Sequence, residues 1–468
     1  MKKNIFKTVH AVMAVAVIAA FTSCNKFLDI KPFGKTIPQT TEEYSALLNE
    51  MLAGIDGNNS STTQTKTLFF NDELVCQFEE IADNLETNLT QYPLGSGLKF
   101  WFGNITNDSY YENYYATISR CNIILDNYEE GRDTRDGQDL VGTAYAIRGL
   151  CYYQLIRMYC EPVTNASEQL GMPIVTEFDM EAKPIRSSLE QTINQAESDF
   201  KEALKCDVQN EMCRFNNDVV KAMLARLYFW AGRYDEALAQ AEDVLKRHPV
   251  LSGENYKKMS ESTEGLVGNQ LIRSDLIPKS ETSTINKYLV ARPMSIRFIK
   301  LFAEKDKDIR YRLFVGKKRT NKKAFFAGIR SAELYLIAME SQYHLGKTAE
   351  ALEMLNNFRK QRIEGVEDYT METLPAVDET EYIKTDSKGN ALTPLLQAIL
   401  NERRKELYLE GDRFFELKRN GRPEFWVMKN GLKYTNKKYM YTLPIDPSDV
   451  QLNPAIQQNE GYTEVVYN

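Results

Sequence analysis

The 468-residue sequence is poor in histidine and tryptophan, with three of each, and this shortage limits the sites that it can form. Only His248 and His344 lie beyond the N-terminal segment, which excludes a histidine-rich metal centre. No P-loop and no G-x-G-x-x-G motif follows a strand, so nothing indicates nucleotide binding. The G-x-S-x-G elbow of many serine hydrolases is also missing. We therefore expect no metal and no dissociable cofactor.

Long apolar runs are missing beyond the N-terminus. Residues 11–21 form an unbroken apolar run, shorter than the about 20 residues that a membrane-spanning helix needs. Three lysines precede this run, and two small polar residues separate it from Cys24. This is the order of a bacterial export signal that ends at a lipoprotein cysteine. We predict that residues 1–23 are a signal peptide and that Cys24 carries a diacylglycerol and an acyl chain, enough for stable anchoring. The alternative is a secretory signal without lipid.

The chain also lacks an excess of positive charge. Its formal net charge is −7, and removal of residues 1–23, which hold three lysines and no acidic residue, makes it −10. Such a chain is a poor partner for nucleic acid, whose phosphates are neutralised by clustered lysine and arginine. Six cysteines follow Cys24 without a C-x-x-C pair, and we predict that they are small core residues. The alternative is a local disulfide between Cys206 and Cys213, since an exported location permits disulfides.

The dominant hydrophobic period is that of a helix. Ser187 and Glu190 have the spacing of a capping box, and apolar residues then recur at three- and four-residue steps through Leu204. A second helix has its predicted N-cap at Asn217 or Asp218 and ends at Gly232, and a third ends near residue 248. The last two match the tetratricopeptide spacing. Such units are predicted near residues 112–160, 187–249 and 331–362, with a further helix over 393–420.

Long stretches without any period separate these helices. They cover residues 53–67, 83–109, 250–292 and 364–391, and loops of this length are usually functional or disordered. We expect a mostly α fold, in which a tetratricopeptide-like helical repeat scaffold carries a second, loop-rich irregular lobe. Residues 24–468 are predicted to form a single domain.

Glutamates on the last predicted helix suggest two different roles. Glu402, Glu406 and Glu410 repeat every four residues, and paired carboxylates are the tools of glycoside hydrolysis. Arginines and a lysine are interleaved with them, and glutamate with arginine at helical spacing commonly forms ion pairs. We predict a structural ion-pair network rather than catalytic acids.

Four segments resemble the SusD/RagB family of nutrient-binding outer-membrane lipoproteins. They are residues 25–32 after the lipoprotein cysteine, 161–188, the glutamate- and arginine-rich stretch 399–419, and the tail 443–462. The tail has Glu460 where the family often has proline. This resemblance covers essentially the whole chain. It implies a lipid-anchored protein of the cell outer membrane that faces the exterior. Such a protein captures an oligosaccharide, or less often a peptide, and delivers it to a SusC-like TonB-dependent transporter.

The candidate ligand-binding residues lie between Phe78 and Tyr111, where the family often has its ligand contacts. Aromatic rings pack on the C–H faces of sugars, and polar neighbours bind the hydroxyls. The candidates are Phe78, Asp83, Asn84, Tyr92, Trp101 and Asn104. Trp101 has an equally plausible role as a core anchor for the next helix, whereas Trp230 and Trp426 are predicted to be packing residues.

Two other functional classes remain open. A tetratricopeptide lipoprotein that assembles outer-membrane proteins would hold peptides in its repeat groove, but it would not need long aromatic loops. A glycan-cleaving enzyme would need a recognisable acid and nucleophile pair, which the sequence does not show. We expect a binding protein that is not an enzyme.

Overall fold

The computed structural model describes most of the chain. The described residues are 38–53, 68–69, 72–87, 110–179, 181–251, 256, 270–273, 292–323, 326, 328–429 and 432–462. The mostly helical fold predicted from the sequence is confirmed. The helices are α1 (Thr41–Ala53), α2 (Asp72–Glu80), α3 (Tyr110–Asn127), α4 (Arg135–Tyr159), α5 (Leu189–Cys206), α6 (Asn217–Trp230), α7 (Tyr234–Leu245), α8 (Ile296–Lys300), α9 (Ile309–Phe314), α10 (Ser331–His344), α11 (Thr348–Arg362), α12 (Pro394–Glu406), α13 (Arg413–Arg419) and α14 (Pro447–Leu452).

The strands are short and form antiparallel pairs between and after the helices. The pairs are β1 (Leu170–Pro173) with β2 (Arg186–Ser188), β3 (Gln270–Arg273) with β4 (Gly328–Arg330), and β5 (Phe425–Lys429) with β6 (Leu432–Asn436). The β5–β6 pair keeps a regular register, whereas the register shifts in the other two pairs.

Successive helices pack against each other as in a tetratricopeptide scaffold. Helix α4 packs between α3 and α5, and α7 packs against both α6 and α10. The α6–α7 and α10–α11 turns each contain a glycine with positive φ, Gly232 at 73° and Gly346 at 78°. Glycine adopts this left-handed conformation without steric cost and so allows a tight reversal between helices. These pairs agree with the tetratricopeptide-like fold class predicted from the hydrophobic period.

Two helix starts differ from the predictions by one residue. Helix α5 is capped by Ser188, which forms a capping box with Gln191. The hydroxyl of Ser187 instead donates to the Met172 carbonyl at 2.6 Å, across the β1–β2 pair. Helix α6 is capped by Asn216, whose side chain accepts from the Val219 N–H at 3.0 Å.

The helix predicted over 393–420 is two helices, α12 and α13. Between them Leu409 has a φ of 58° and Gly411 a φ of 70°, which an α-helix does not accommodate. The Leu409 N–H donates to the buried Glu79 carboxylate at 3.2 Å, so a contact with α2 supports the left-handed conformation. The break carries α13 back over α2 and α6.

Most apolar side chains form one continuous core that extends from α1 to the C-terminal tail. A smaller core lies between α10, α11 and α12, around Leu336, Leu355 and Ile399. All six cysteines after Cys24 are buried and carry free thiols, including Cys206 and Cys213. The core role predicted for the cysteines is confirmed, and the local disulfide does not form in this structure.

Candidate ligand site

The carboxylate of Glu406 lies at the centre of a buried ion-pair network. Arg330 donates to Oε1 at 2.8 Å, and Arg362 donates to both carboxylate oxygens at 3.0 and 3.1 Å. Arg310 approaches Oε2 at 3.4 Å. Glu406 and the three arginine side chains are at most 1% exposed.

The neighbouring glutamates belong to the same network. Glu402 accepts from Arg310 and Lys405, at 2.7 and 2.8 Å. Glu410 accepts from Arg330 at 2.8 Å. Although burial alone raises the pKa of Glu406, the surrounding arginines hold it far below its usual value. The structural ion-pair network predicted for these glutamates is confirmed, and each carboxylate is committed to protein cations.

A second group of ion pairs fixes the start of the candidate ligand segment to α12 and α13. Arg413 donates to both carboxylate oxygens of Asp83 at 2.6 and 2.9 Å, and Arg404 donates to the Asp83 carbonyl at 2.9 Å. Burial raises the pKa of Asp83, but Arg404 and Arg413 outweigh it and hold the pKa below its usual value. Asp83 therefore stays ionised in the core.

Phe78 and Asn84 are also core residues. The ring of Phe78 stacks on Phe414 with centroids 5.0 Å apart. Asn84 accepts from Arg404 at 2.8 Å and donates to Glu79 at 3.0 Å. The ligand contacts predicted for Phe78, Asp83 and Asn84 need correction, because all three side chains are no more than 1% exposed and their polar atoms are bound to the protein. The other candidates Tyr92, Trp101 and Asn104, and the lipidation site Cys24, lie outside the described residues.

The backbone after Asn84 is held by two other segments of the chain. Leu85 forms an isolated bridge with Met294, and the Glu86 N–H donates to the Pro293 carbonyl at 2.9 Å. The Thr87 carbonyl accepts from the Met428 N–H at 2.7 Å. Three of the six predicted ligand contacts belong to residues 88–109, outside the described residues. Thr87, which precedes them, therefore lies beside β5. Tyr110, which follows them, begins α3, and its hydroxyl donates to Gln77 at 3.4 Å.

The β5–β6 hairpin presents an aromatic side chain next to this starting point. Phe425 and Val427 are buried on its inner face, whereas Trp426 and Met428 alternate to the outer face and are half-buried. Lys433 lies opposite Met428 on β6, and its Nζ is 4.8 Å from the centre of the Trp426 indole. The packing role predicted for Trp426 does not account for this half-buried position. The period-two pattern of residues 425–429 was the signal that places it on the outer face.

Neither a metal cluster nor a membrane-spanning helix is found among the residues that the structure describes. The described residues contain no group of three or more His, Cys, Asp or Glu side chains that could hold a metal ion. No described helix combines the length and apolar character needed to cross a membrane.

Two protein-family models match the chain. A model described as "Starch-binding associating with outer membrane" matches residues 26–229, and a model of the SusD family matches residues 311–462. The chain belongs to the SusD/RagB family. Together the two matches include the repeat helices α3 to α6, the buried network around α12 and the C-terminal tail. No curated protein sequence matches the chain.

Solved structures of Bacteroides proteins share the SusD-family fold. A SusD superfamily protein from Bacteroides thetaiotaomicron is 23% identical with a TM-score of 0.68, over 90% of this chain and 100% of that one. A SusD superfamily protein from Bacteroides vulgatus is 18% identical with a TM-score of 0.70, over 91% and 100%. A SusD-like carbohydrate binding protein from Bacteroides vulgatus is 19% identical with a TM-score of 0.65, over 90% and 98%.

Proposed function

We propose that this SusD-family protein captures an oligosaccharide outside the cell and passes it to a SusC-like TonB-dependent outer-membrane transporter. The observation that carries the proposal is the pair of family matches, one of which is described as starch-binding and associated with the outer membrane. A lipid on Cys24 anchors the protein to the outer membrane, with its body facing the exterior. A peptide ligand is the less favoured alternative.

The geometry supports binding near the start of residues 88–109. The ion pairs of Asp83 with Arg404 and Arg413 fix that end of the segment to the core. A chain segment that is held in place before binding loses less conformational entropy when the ligand binds. The half-buried Trp426 indole lies on the β5–β6 hairpin, where the Met428 N–H donates to the Thr87 carbonyl. We propose that Trp426 and Trp101 offer the aromatic surfaces on which a sugar ring packs.

The first test is a binding screen of the purified protein against polysaccharides, host-type glycans and peptides by affinity electrophoresis and calorimetry. We expect affinity for at least one glycan without cleavage of it. Trp426→Ala and Trp101→Ala should each weaken that affinity about tenfold, or about 1.4 kcal/mol. Trp230→Phe, a change inside the repeat scaffold, should leave it within about twofold. A glycan affinity that survives both alanine substitutions would contradict the assignment of the site.

Anchoring and partner choice need a separate test in cells. Cys24→Ser should release the protein from the outer-membrane fraction and prevent labelling by an alkyne-bearing fatty acid. Affinity purification of the wild-type protein from solubilised outer membranes should recover a TonB-dependent transporter. A Cys24→Ser protein that still carries the label would contradict lipidation at this residue.

A scaffold that assembles outer-membrane proteins is the second candidate. The stacked repeat helices α3 to α7 favour it, since tetratricopeptide arrays often bind peptides. This function predicts no affinity for free glycans and recovery of outer-membrane assembly proteins in the same purification. The two outcomes distinguish the scaffold from the glycan-binding protein.

A further inference from the structure

A small cavity lies where helices α4, α6, α10, α12 and α13 meet, inside the repeat scaffold and apart from the candidate ligand site. Its volume is about 20 Å³, and about 10–15 Å³ is enough to hold one water-sized particle. Its polar walls include Arg403 from α12, Glu416 and Arg419 from α13, and Trp230 at the end of α6. These four residues are at most 7% exposed.

Four buried polar side-chain atoms on these walls lack a hydrogen bond. Trp230 Nε1, Arg403 Nη1, Arg419 Nη1 and Glu416 Oε1 have no hydrogen-bond partner among the described residues. A buried donor without an acceptor destabilises the folded state, so such groups normally have a hydrogen-bond partner. Three of the four atoms are N–H donors, and two of these belong to arginines. The site is therefore richer in donors than a water molecule requires.

Arginines outnumber carboxyl groups among the residues that line the cavity. Four arginines line it, at positions 157, 226, 403 and 419, against three carboxyl groups at positions 333, 412 and 416. The other nitrogens of Arg403 are bound to Asp412, at 2.5 and 2.9 Å, and Arg419 Nη2 donates to Glu340 at 2.5 Å. The lining residues thus carry one excess positive charge. Burial raises the pKa of Glu416, whose other carboxylate oxygen accepts from Arg413 at 2.7 Å.

A second cavity lies between this one and the surface. A neighbouring cavity of about 60 Å³ shares the walls formed by Trp230 and Arg419, and it extends past Gly232 to Lys388. The Lys388 side chain is exposed. A cation at the outer end and arginines at the inner end favour the entry of an anion.

From the three unpartnered donors and the excess charge, we propose that a single monatomic anion, a halide such as chloride, binds at the junction of these two cavities. It accepts hydrogen bonds from Trp230 Nε1 and from the arginines of α12 and α13. The inner cavity, of about 20 Å³, holds about one water-sized particle, which favours a monatomic over a polyatomic anion. The bound anion joins the end of repeat helix α6 to the two helices that hold the buried ion-pair network.

The test compares thermal unfolding of the full-length protein in sodium chloride and in sodium methanesulfonate at equal ionic strength. We expect chloride to raise Tm saturably by about 1–3 °C, because a ligand that binds only the folded state stabilises it. Trp230→Phe keeps the ring packing and removes the N–H donor, so it should lose at least two thirds of this shift. Trp426→Phe makes the same change on the outer hairpin and should keep the shift.

Bromide-soaked crystals of the wild-type protein locate the anion directly. An anomalous peak within hydrogen-bond distance of Trp230 Nε1 would support the proposal, and it decides the matter if Trp230→Phe does not fold. The proposal is overturned if the cavity shows no bromide peak, which would mean that it holds only water. It is also overturned if Trp230→Phe retains the full chloride response.

Discussion

Replacement of Glu406 by glutamine should destabilise the protein strongly, although it preserves the shape of the side chain. An amide oxygen still accepts a hydrogen bond, but the amide nitrogen presents donors to arginines that are themselves donors. Arg310 keeps Asp308 and Glu402 as partners, and Arg330 keeps Glu410. Arg362 retains the carbonyls of Leu251 and Gln361 as acceptors, but its carboxylate partner is gone.

The expected loss follows from the burial of these charges. Removal of one partner from a buried ion pair typically costs about 3–5 kcal/mol, because the remaining charge cannot reach water. The guanidinium groups of Arg310 and Arg362 are completely buried, so we expect about 4 kcal/mol. The pKa of Glu406 lies below its unfolded value. Its stabilising contribution is therefore present above pH 4.5 and falls away as the pH drops through the acidic range.

The assay is urea unfolding at pH 7, followed by tryptophan fluorescence and circular dichroism. Glu353→Gln on the exposed face of α11 makes the same chemical change and should shift the free energy of unfolding by less than about 0.5 kcal/mol. The double variant with Arg362→Met should recover part of the loss, because it removes the cation that Glu406→Gln leaves without a carboxylate. A Glu406→Gln protein within about 1 kcal/mol of wild type would refute the reasoning.

Three further substitutions test buried charges elsewhere. Burial raises the pKa of Glu79 to about 7, so the stability it contributes at pH 4 is lost as the pH rises to 8. Urea unfolding at pH 4 and at pH 8 should show that the free energy of unfolding of wild type falls by about 3 kcal/mol relative to that of Glu79→Gln. Burial lowers the pKa of Lys418 to about 7. Lys418→Met should therefore abolish a rise in stability of about 1.4 kcal/mol per pH unit between pH 7 and 10, and an unchanged slope would contradict this. Asp83→Asn should lower the free energy of unfolding in urea by about 3 kcal/mol and weaken glycan affinity. An unaltered affinity would show that the ion pairs of Asp83 do not position the ligand site.

Local sequence patterns predicted the helical part of the fold well. The apolar period and the terminating glycine define α6 and α7, since both are properties of residues close together in the chain. The break between α12 and α13 was not predicted. Gly411 was its one local signal, and the left-handed Leu409 is supported by a bond to Glu79, a residue 330 positions earlier.

The buried positions of Asp83 and Asn84 could not be inferred from their neighbours for the same reason. Polar residues in a stretch without period are usually solvated, and nothing nearby in the sequence predicts otherwise. Their partners Arg404 and Arg413 lie 320 and 330 positions away, so only the folded chain brings the charges together. The opposite holds for Trp426, whose position on the hairpin surface was readable from strand alternation.

Calorimetric titration of the purified protein with a panel of oligosaccharides tests the proposed function most directly. We expect saturable binding of at least one glycan, no cleavage of that glycan during prolonged incubation, and about tenfold weaker binding by Trp426→Ala. Absence of binding across the panel, with outer-membrane assembly proteins recovered from membranes instead of a transporter, would contradict the account and favour the scaffold.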